Sequence, residues 1–225
     1  MTITHAITVA AFKGLTSLIC RIDDAQLARV PERGPLIVVT NHVNILEIPI
    51  IYTRLQPRPV TGLVSAHRWE NRWMRWLLEL CGTVPLRRGE ADVAAMRRGL
   101  DVLKAGRIAI ISPEGTRSGH GRLQEGRPGV ALLALHSGAP LLPVVYYGSE
   151  HYKENLRRLR RTDFHIAVGE PFYLDAGGVR VTRPVRRQMT DEIMYQLAAL
   201  LPPAYRGVYA DLGAATRRMY VKRKT

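Results

Sequence analysis

A histidine with a carboxylate five residues downstream, Asn41-His42-Val43-Asn44-Ile45-Leu46-Glu47, directly follows the apolar run Leu36-Ile37-Val38-Val39-Thr40. Imidazole titrates near neutral pH, and a carboxylate bonded to one ring nitrogen fixes the tautomer and leaves the other nitrogen as a base. On a continuous helix, positions five apart stand about 140° from each other around the axis. The pair therefore forms only if His42 sits in a turn and Glu47 in the first helical turn. The plain alternative is a histidine that caps a helix and a glutamate favoured by the helix dipole.

Two further segments carry chemistry. Ser112-Pro113-Glu114-Gly115-Thr116-Arg117-Ser118 follows the apolar run Ile108–Ile111. Gly115 permits close backbone approach to a ligand. Thr116 and Ser118 offer hydroxyls, and Arg117 offers a forked grip on phosphate. Its alternative is an ordinary polar turn. Gly82-Thr83-Val84-Pro85-Leu86-Arg87-Arg88 reads as a short strand ending in two cations, which by themselves are equally a solvated charge pair.

The elements that must position these residues follow from pattern. Apolar runs at 36–40, 60–65, 83–86, 108–111, 141–147 and 164–168 read as strands. Helical spacing covers 45–55, 71–80, 92–105, with Gly106 as its stop, 130–136, with Gly138 as its stop, and a helix opened by Thr182-Arg183-Pro184 that ends before Pro202-Pro203. Strands that are apolar throughout, alternating with helices, predict an α/β single domain: a mostly parallel sheet flanked by helices on both faces. In such sheets, ligands bind outside the carboxyl ends of the strands, where the chemical segments lie. The chain divides into an N-terminal amphipathic segment, 1–30, a main domain, 31–205, and a basic tail, 206–225.

Within the first segment Ile3, Ile7, Ala11, Leu15, Leu18, Ile19 and Ile22 recur at helical spacing. Such a stripe fits a helix lying in a membrane interface or one docked on the domain. Trp69, Trp73 and Trp76 form another stripe, interleaved with arginines, that suits an interfacial belt or a core-facing side. No apolar run approaches the roughly 20 residues that span a bilayer. Cys20 and Cys81 make neither a disulfide framework nor a metal site.

Charge narrows the partners. Lys and Arg number 33 against 19 Asp and Glu, a net +14, and the pI is near 10.4. Such a surplus draws polyanions: nucleic acid, anionic lipid or phosphorylated ligands. A general enrichment in arginine that only decorates solvated faces also accounts for it. Clusters at Arg157-Arg158-Leu159-Arg160-Arg161 and Arg183–Arg187 fit lipid headgroups or plain solvation.

In order and spacing the three segments resemble the glycerol-3-phosphate and 1-acylglycerol-3-phosphate acyltransferases, the PlsC-like family. Its blocks are N-H-x-x-x-x-D, G-x-x-x-x-x-R, F-P-E-G-T-R-S and an apolar block with V-P-V. Here they are Asn41-His42 to Glu47, Gly82 to Arg88, Pro113 to Ser118, and Leu142-Pro143-Val144. The likeness covers about 37–171. It departs at Glu47, where the family has aspartate, and at Ser112, where it has an aromatic. The resemblance implies a glycerolipid acyltransferase-like fold and transfer of a fatty acyl group, from acyl-CoA or acyl-carrier protein, to the hydroxyl of a lysophosphatidate-type acceptor in phospholipid synthesis. A different lipid or glycolipid acceptor is the alternative. It also implies His42 as base, Glu47 as its partner, and Arg87 or Arg88, Gly115, Thr116 and Arg117 as the phosphate site, with Glu114 orienting them. No cofactor is implied. The expected location is peripheral, on the cytoplasmic face of an anionic membrane. A nucleic-acid-binding protein would explain the charge but not the blocks, and the chain lacks zinc spacing and an RNA-binding strand motif; nucleic acid is not an expected partner. A serine hydrolase would need a G-x-S-x-G elbow, which is absent.

Overall fold

The computed structural model describes residues 3–65, 70, 72–80, 83–86 and 93–221. In chain order the elements are α1 (Ile3–Ile19), β1 (Cys20–Asp23), β2 (Leu36–Thr40), α2 (Glu47–Arg54), β3 (Val60–Ser65), α3 (Arg72–Leu80), β4 (Val84–Leu86), α4 (Val93–Lys104), β5 (Ile108–Ile111), α5 (Gly129–Ser137), β6 (Leu141–Tyr147), α6 (Tyr152–Arg157), β7 (Thr162–Val168), β8 (Tyr173–Leu174), α7 (Arg183–Leu200) and β9 (Tyr220–Val221).

The main sheet has the order β1-β7-β6-β2-β5-β3-β4. All its neighbours are parallel except β6 and β7, which run antiparallel. The expected α/β fold with a mostly parallel sheet is the observed one. Both faces are covered, which is why the central strand β2 is buried along its whole length. Ile37 and Val39 point into a cluster with Leu133 of α5 and Ile193 and Leu197 of α7. Leu36 and Val38 point the other way, to Ile50 and Ile51 of α2 and Phe164 of β7. Each such buried aliphatic side chain contributes about 1.5–3 kcal/mol. The helix over 129–137 stops where the sequence asks it to, at Gly138 with φ 62°.

The N-terminal segment departs from its sequence pattern in two ways. Helical spacing runs on to Ile22, yet the chain becomes strand at Cys20, because β1 finds a parallel partner in β7, Cys20 opposite Thr162. Also, α1 docks through Val9 and Phe12, which pack with Ile48 and Tyr52 of α2. The stripe at Ile7, Leu15 and Leu18 is left in water, at 64%, 55% and 71% exposure. No described helix is long and apolar enough to cross a membrane.

The described part of the basic tail, 206–221, is ordered against the domain. Glu192 of α7, buried, accepts from the Thr216 hydroxyl and from the backbone N–H groups of Arg218 and Met219.

Candidate active site

Register brings the first and third chemical segments together. In the β2–β5 pairing Val39 faces Ile111. Three residues further along each chain stand His42 and Glu114, so the two strands deliver them to the same level. The backbone N–H of His42 donates to Glu114 Oε1 at 3.0 Å. Ser118 N donates to the His42 carbonyl at 2.8 Å, and Gly119 N to the Val43 carbonyl at 3.1 Å. The loop after β2 and the loop after β5 are thus zipped to each other.

The helix α2 begins at Glu47 itself, which leaves His42 in the turn. This is the arrangement that spacing alone required for the pair to form. His42 Nδ1 and Glu47 Oε2 stand 2.6 Å apart. Glu47 Oε1 accepts from Val43 N at 2.7 Å and Asn44 N at 2.8 Å. One buried carboxylate in the first turn of the helix therefore gathers the backbone of the preceding loop and holds the imidazole; His42 does not cap the helix, whose start has no side-chain cap. With Nδ1 donating to carboxylate, Nε2 carries the lone pair. The His42 side chain keeps 28% of its surface exposed, against 5% for Glu47, so the ring is reachable.

Two asparagines fix the loop to β6. Asn41 exchanges a pair of 2.8 Å bonds with the backbone of Tyr146, Nδ2 to its carbonyl and Oδ1 from its N–H. Asn44 Nδ2 donates to the Ser149 carbonyl and hydroxyl, both at 2.9 Å. Its Oδ1 accepts from Leu46 N.

Glu114 is buried and receives Gln124 N at 3.2 Å on its second oxygen. Burial pushes its carboxyl up to about 7; the N–H groups of His42 and Gln124 oppose the shift, and the Glu47 charge adds to it. Gly115 has φ 68°, which a side chain would strain, and a Cβ there would stand 3.1 Å from the Arg127 side chain. Arg127, whose N–H donates to the Pro113 carbonyl at 2.8 Å, thus lies over the turn that carries Thr116 and Arg117. Those two are half-buried at the rim. Arg87 and Arg88 follow β4 in sequence and lie outside the described residues, as does Trp69. Trp76 of α3 is half exposed. Among the described residues no three His, Cys, Asp or Glu side chains gather as for a metal.

Asn41, Asn44 and Arg127 were not singled out by sequence reasoning. Asn41 was visible as the first letter of its block, with no role attached. The partners of the asparagines lie 105 positions away, and no local spacing signals them.

Comparison with known proteins turns this geometry into a family. The model described as Acyltransferase matches residues 21–147, which include both zipped loops and β6. The chain belongs to this acyltransferase family. Curated relatives include a chloroplastic 1-acyl-sn-glycerol-3-phosphate acyltransferase of Brassica napus, 26% identical over 150 residues, covering 62% of this chain and 41% of that protein. A lyso-ornithine lipid O-acyltransferase of Pseudomonas aeruginosa is 31% identical over 157 residues, covering 62% of this chain and 60% of that one. The chain thus spans less than two thirds of the length of either. The crystal structure of the 1-acyl-sn-glycerophosphate acyltransferase PlsC from Thermotoga maritima superimposes with a TM-score of 0.57 at 22% identity, over 84% of this chain and 78% of that one. That likeness speaks to the fold.

Proposed function

We propose that this member of the acyltransferase family moves a fatty acyl group from a thioester, acyl-CoA or acyl-carrier protein, to the free hydroxyl of a lysophosphatidate-type acceptor in phospholipid synthesis. The observation that carries the reading is the His42–Glu47 bond at 2.6 Å, with Nε2 left free at the carboxyl end of β2.

The chemistry balances without an acyl-enzyme. Nε2 of His42 takes the acceptor hydroxyl's proton as the oxygen attacks the thioester carbonyl; the tetrahedral adduct collapses, the C–S bond breaks, and the imidazolium returns the proton to the leaving thiolate. General base assistance of this kind is worth about 10²–10⁴ in rate. Glu47 keeps the ring in the productive tautomer and steadies its positive charge. Arg117, Thr116 and the Gly115 backbone, with Arg87 or Arg88, hold the acceptor's phosphate; Glu114 orients them by tying the loop after β5 to His42. The exposed Ile7, Leu15 and Leu18 stripe and the net charge of +14 support a peripheral seat on an anionic membrane, at its cytoplasmic face.

The name of the Pseudomonas relative favours a second acceptor, a lyso-ornithine lipid. One assay separates the two. Purified protein and radiolabelled acyl-CoA are offered lysophosphatidate, glycerol 3-phosphate and a lyso-ornithine lipid, and products are resolved by lipid chromatography. The proposal expects a labelled phosphatidate that disappears with His42→Ala. Label on the ornithine lipid alone would replace the acceptor, and full turnover by the alanine variant would remove His42 as base.

A further inference from the structure

The turn between α6 and β7 carries an oddity. Leu159 has φ 52°, the one positive value among the described non-glycine residues, and its side chain is 95% exposed. The backbone explains the conformation. Arg158 N bonds the Glu154 and Asn155 carbonyls, Leu159 N bonds Leu156 O, and Arg160 N bonds Asn155 O at 2.8 Å. This is a left-handed helix stop, a place that normally takes glycine. A leucine there is strained, and at 95% exposure it buries almost nothing within the chain.

Its surroundings are specific. Arg157 and Arg160 are exposed about it, as is Arg158, which is ion-paired with Glu154 at 2.8 Å. Arg161 turns back and donates to the Ser17 and Cys20 carbonyls, each at 2.7 Å, tying the turn to the end of α1. Leu156, 50% exposed, and Leu18, 71% exposed, flank this junction, and Ile19, Cys20, Leu46, Tyr152 and Leu156 line a small apolar cavity of about 10 Å³ beneath it.

Topology sets where the turn points. Because β7 runs antiparallel to β6, with Tyr147 opposite His165, the start of β7 lies beyond the carboxyl ends of β6 and β2. Thr40 is level with Val144, and Val144 with Val168. Thr162 therefore stands about 20 Å further along, at roughly 3.3 Å per residue. The turn thus projects from the same end of the sheet as His42.

We propose that the Leu156–Arg161 turn is a second membrane anchor beside α1, with Leu159 inserted among acyl chains and Arg157, Arg158 and Arg160 on anionic headgroups. Apolar tip and cationic collar together match an anionic bilayer surface. Strain that nothing inside the fold repays is repaid there. The inference rests on the membrane-surface reading above and holds the open ring of His42 towards the lipid.

The test is flotation of the full chain with phosphatidylcholine vesicles, with and without phosphatidylglycerol. Leu159→Gly puts the favoured residue at the left-handed position, so its melting temperature should equal or exceed that of the parent. Its affinity for anionic vesicles should fall about tenfold, the lower end of what one buried leucine supplies. Arg157→Glu with Arg160→Glu should cost at least as much, at about fivefold per cation lost near an anionic surface. Both variants should keep full acyl transfer to a detergent-dispersed acceptor, since none of the three residues touches the site. Unchanged vesicle binding by either variant, or a parent that floats with neither vesicle, overturns the anchor while leaving acyl transfer to be judged by its own assay. Lost transfer in detergent would also overturn it. So would lost binding to a DNA oligonucleotide with vesicle binding intact, which would assign the turn to nucleic acid.

Discussion

Glu47 stands where the family block ends in aspartate, and the structure shows how the longer side chain is used. All three of its partners are donors: two backbone N–H groups on Oε1 and the imidazole on Oε2. Glu47→Gln must aim an NH₂ at one set of them. Against the backbone it leaves buried donors facing a donor; against Nδ1 it forces the wrong tautomer. We expect kcat to fall about 10²-fold or more. Glu47→Asp keeps the charge but shortens the reach, and a misplacement near 1 Å costs up to about 10²-fold. A purely structural Glu47 would lower the melting temperature and spare kcat. Glu114 makes a different prediction. Its folded pKa, about 7, lies above the ordinary carboxylate range because it is buried. Its neutral form is the one the fold favours, so its contribution is fully present below about pH 4.5 and is lost as pH rises through about 7. Glu114→Gln, which cannot ionise, should gain stability relative to the parent across pH 5 to 8, by at most about 3 kcal/mol. Denaturant melts of both proteins at several pH values check this; a constant difference would contradict it. His42, Glu47 and Glu114 were legible because their block spacings are local. Asn44 was not, because Ser149 becomes its neighbour only when β6 lies beside β2.

At the scale of elements, the strands and helices that build the site follow from apolar runs and stop residues, and β2, β3, β5 and β6 have the bounds their sequences suggest. What the pattern concealed was pairing. β1 looks like the end of a helix because Ile19 and Ile22 keep helical spacing, and only β7 makes it a strand. The segment beyond α7 carries no periodic pattern, yet it braces the loop after β5. Leu123 N donates to the Tyr205 carbonyl, Val208 N to the Leu123 carbonyl, and the Tyr209 hydroxyl accepts from Gly126 N at 3.1 Å while donating to Asp191 at 3.0 Å. Tyr209→Phe strands the buried N–H of Gly126 and takes one donor from Asp191, which keeps its ion pair with Arg187. It should cost about 1–3 kcal/mol of stability, read as a lower melting temperature. Because the same loop carries Arg117, the apparent KM for acceptor should rise more than that for acyl donor. Equal stability and unchanged KM would show that the loop holds its shape without the tyrosine.

At the scale of the whole molecule, charge and apolar exposure have to be weighed together. A net +14 alone would attract any polyanion. The exposed residues Ile7, Leu15 and Leu18 on α1 would favour any apolar partner. A lipid surface of negative charge offers both, and each contribution leaves its own signature. The electrostatic part is screened over about 8 Å at physiological ionic strength and over about 3 Å at 1 M. The apolar part is untouched by added sodium chloride, or slightly strengthened. Binding to vesicles containing phosphatidylglycerol should therefore fall steeply between low salt and 1 M, but level off at a residual set by the α1 stripe together with Leu159. Leu15→Ser with Leu18→Ser should lower that residual to the part Leu159 supplies and leave the salt-sensitive part in place, since both side chains are in water already, the core is not disturbed and no charge changes. Flotation across a salt series reads both. Equal binding to neutral and anionic vesicles would refute the electrostatic part, and a residual unchanged by the double substitution would show that α1 makes no apolar contact with the lipid.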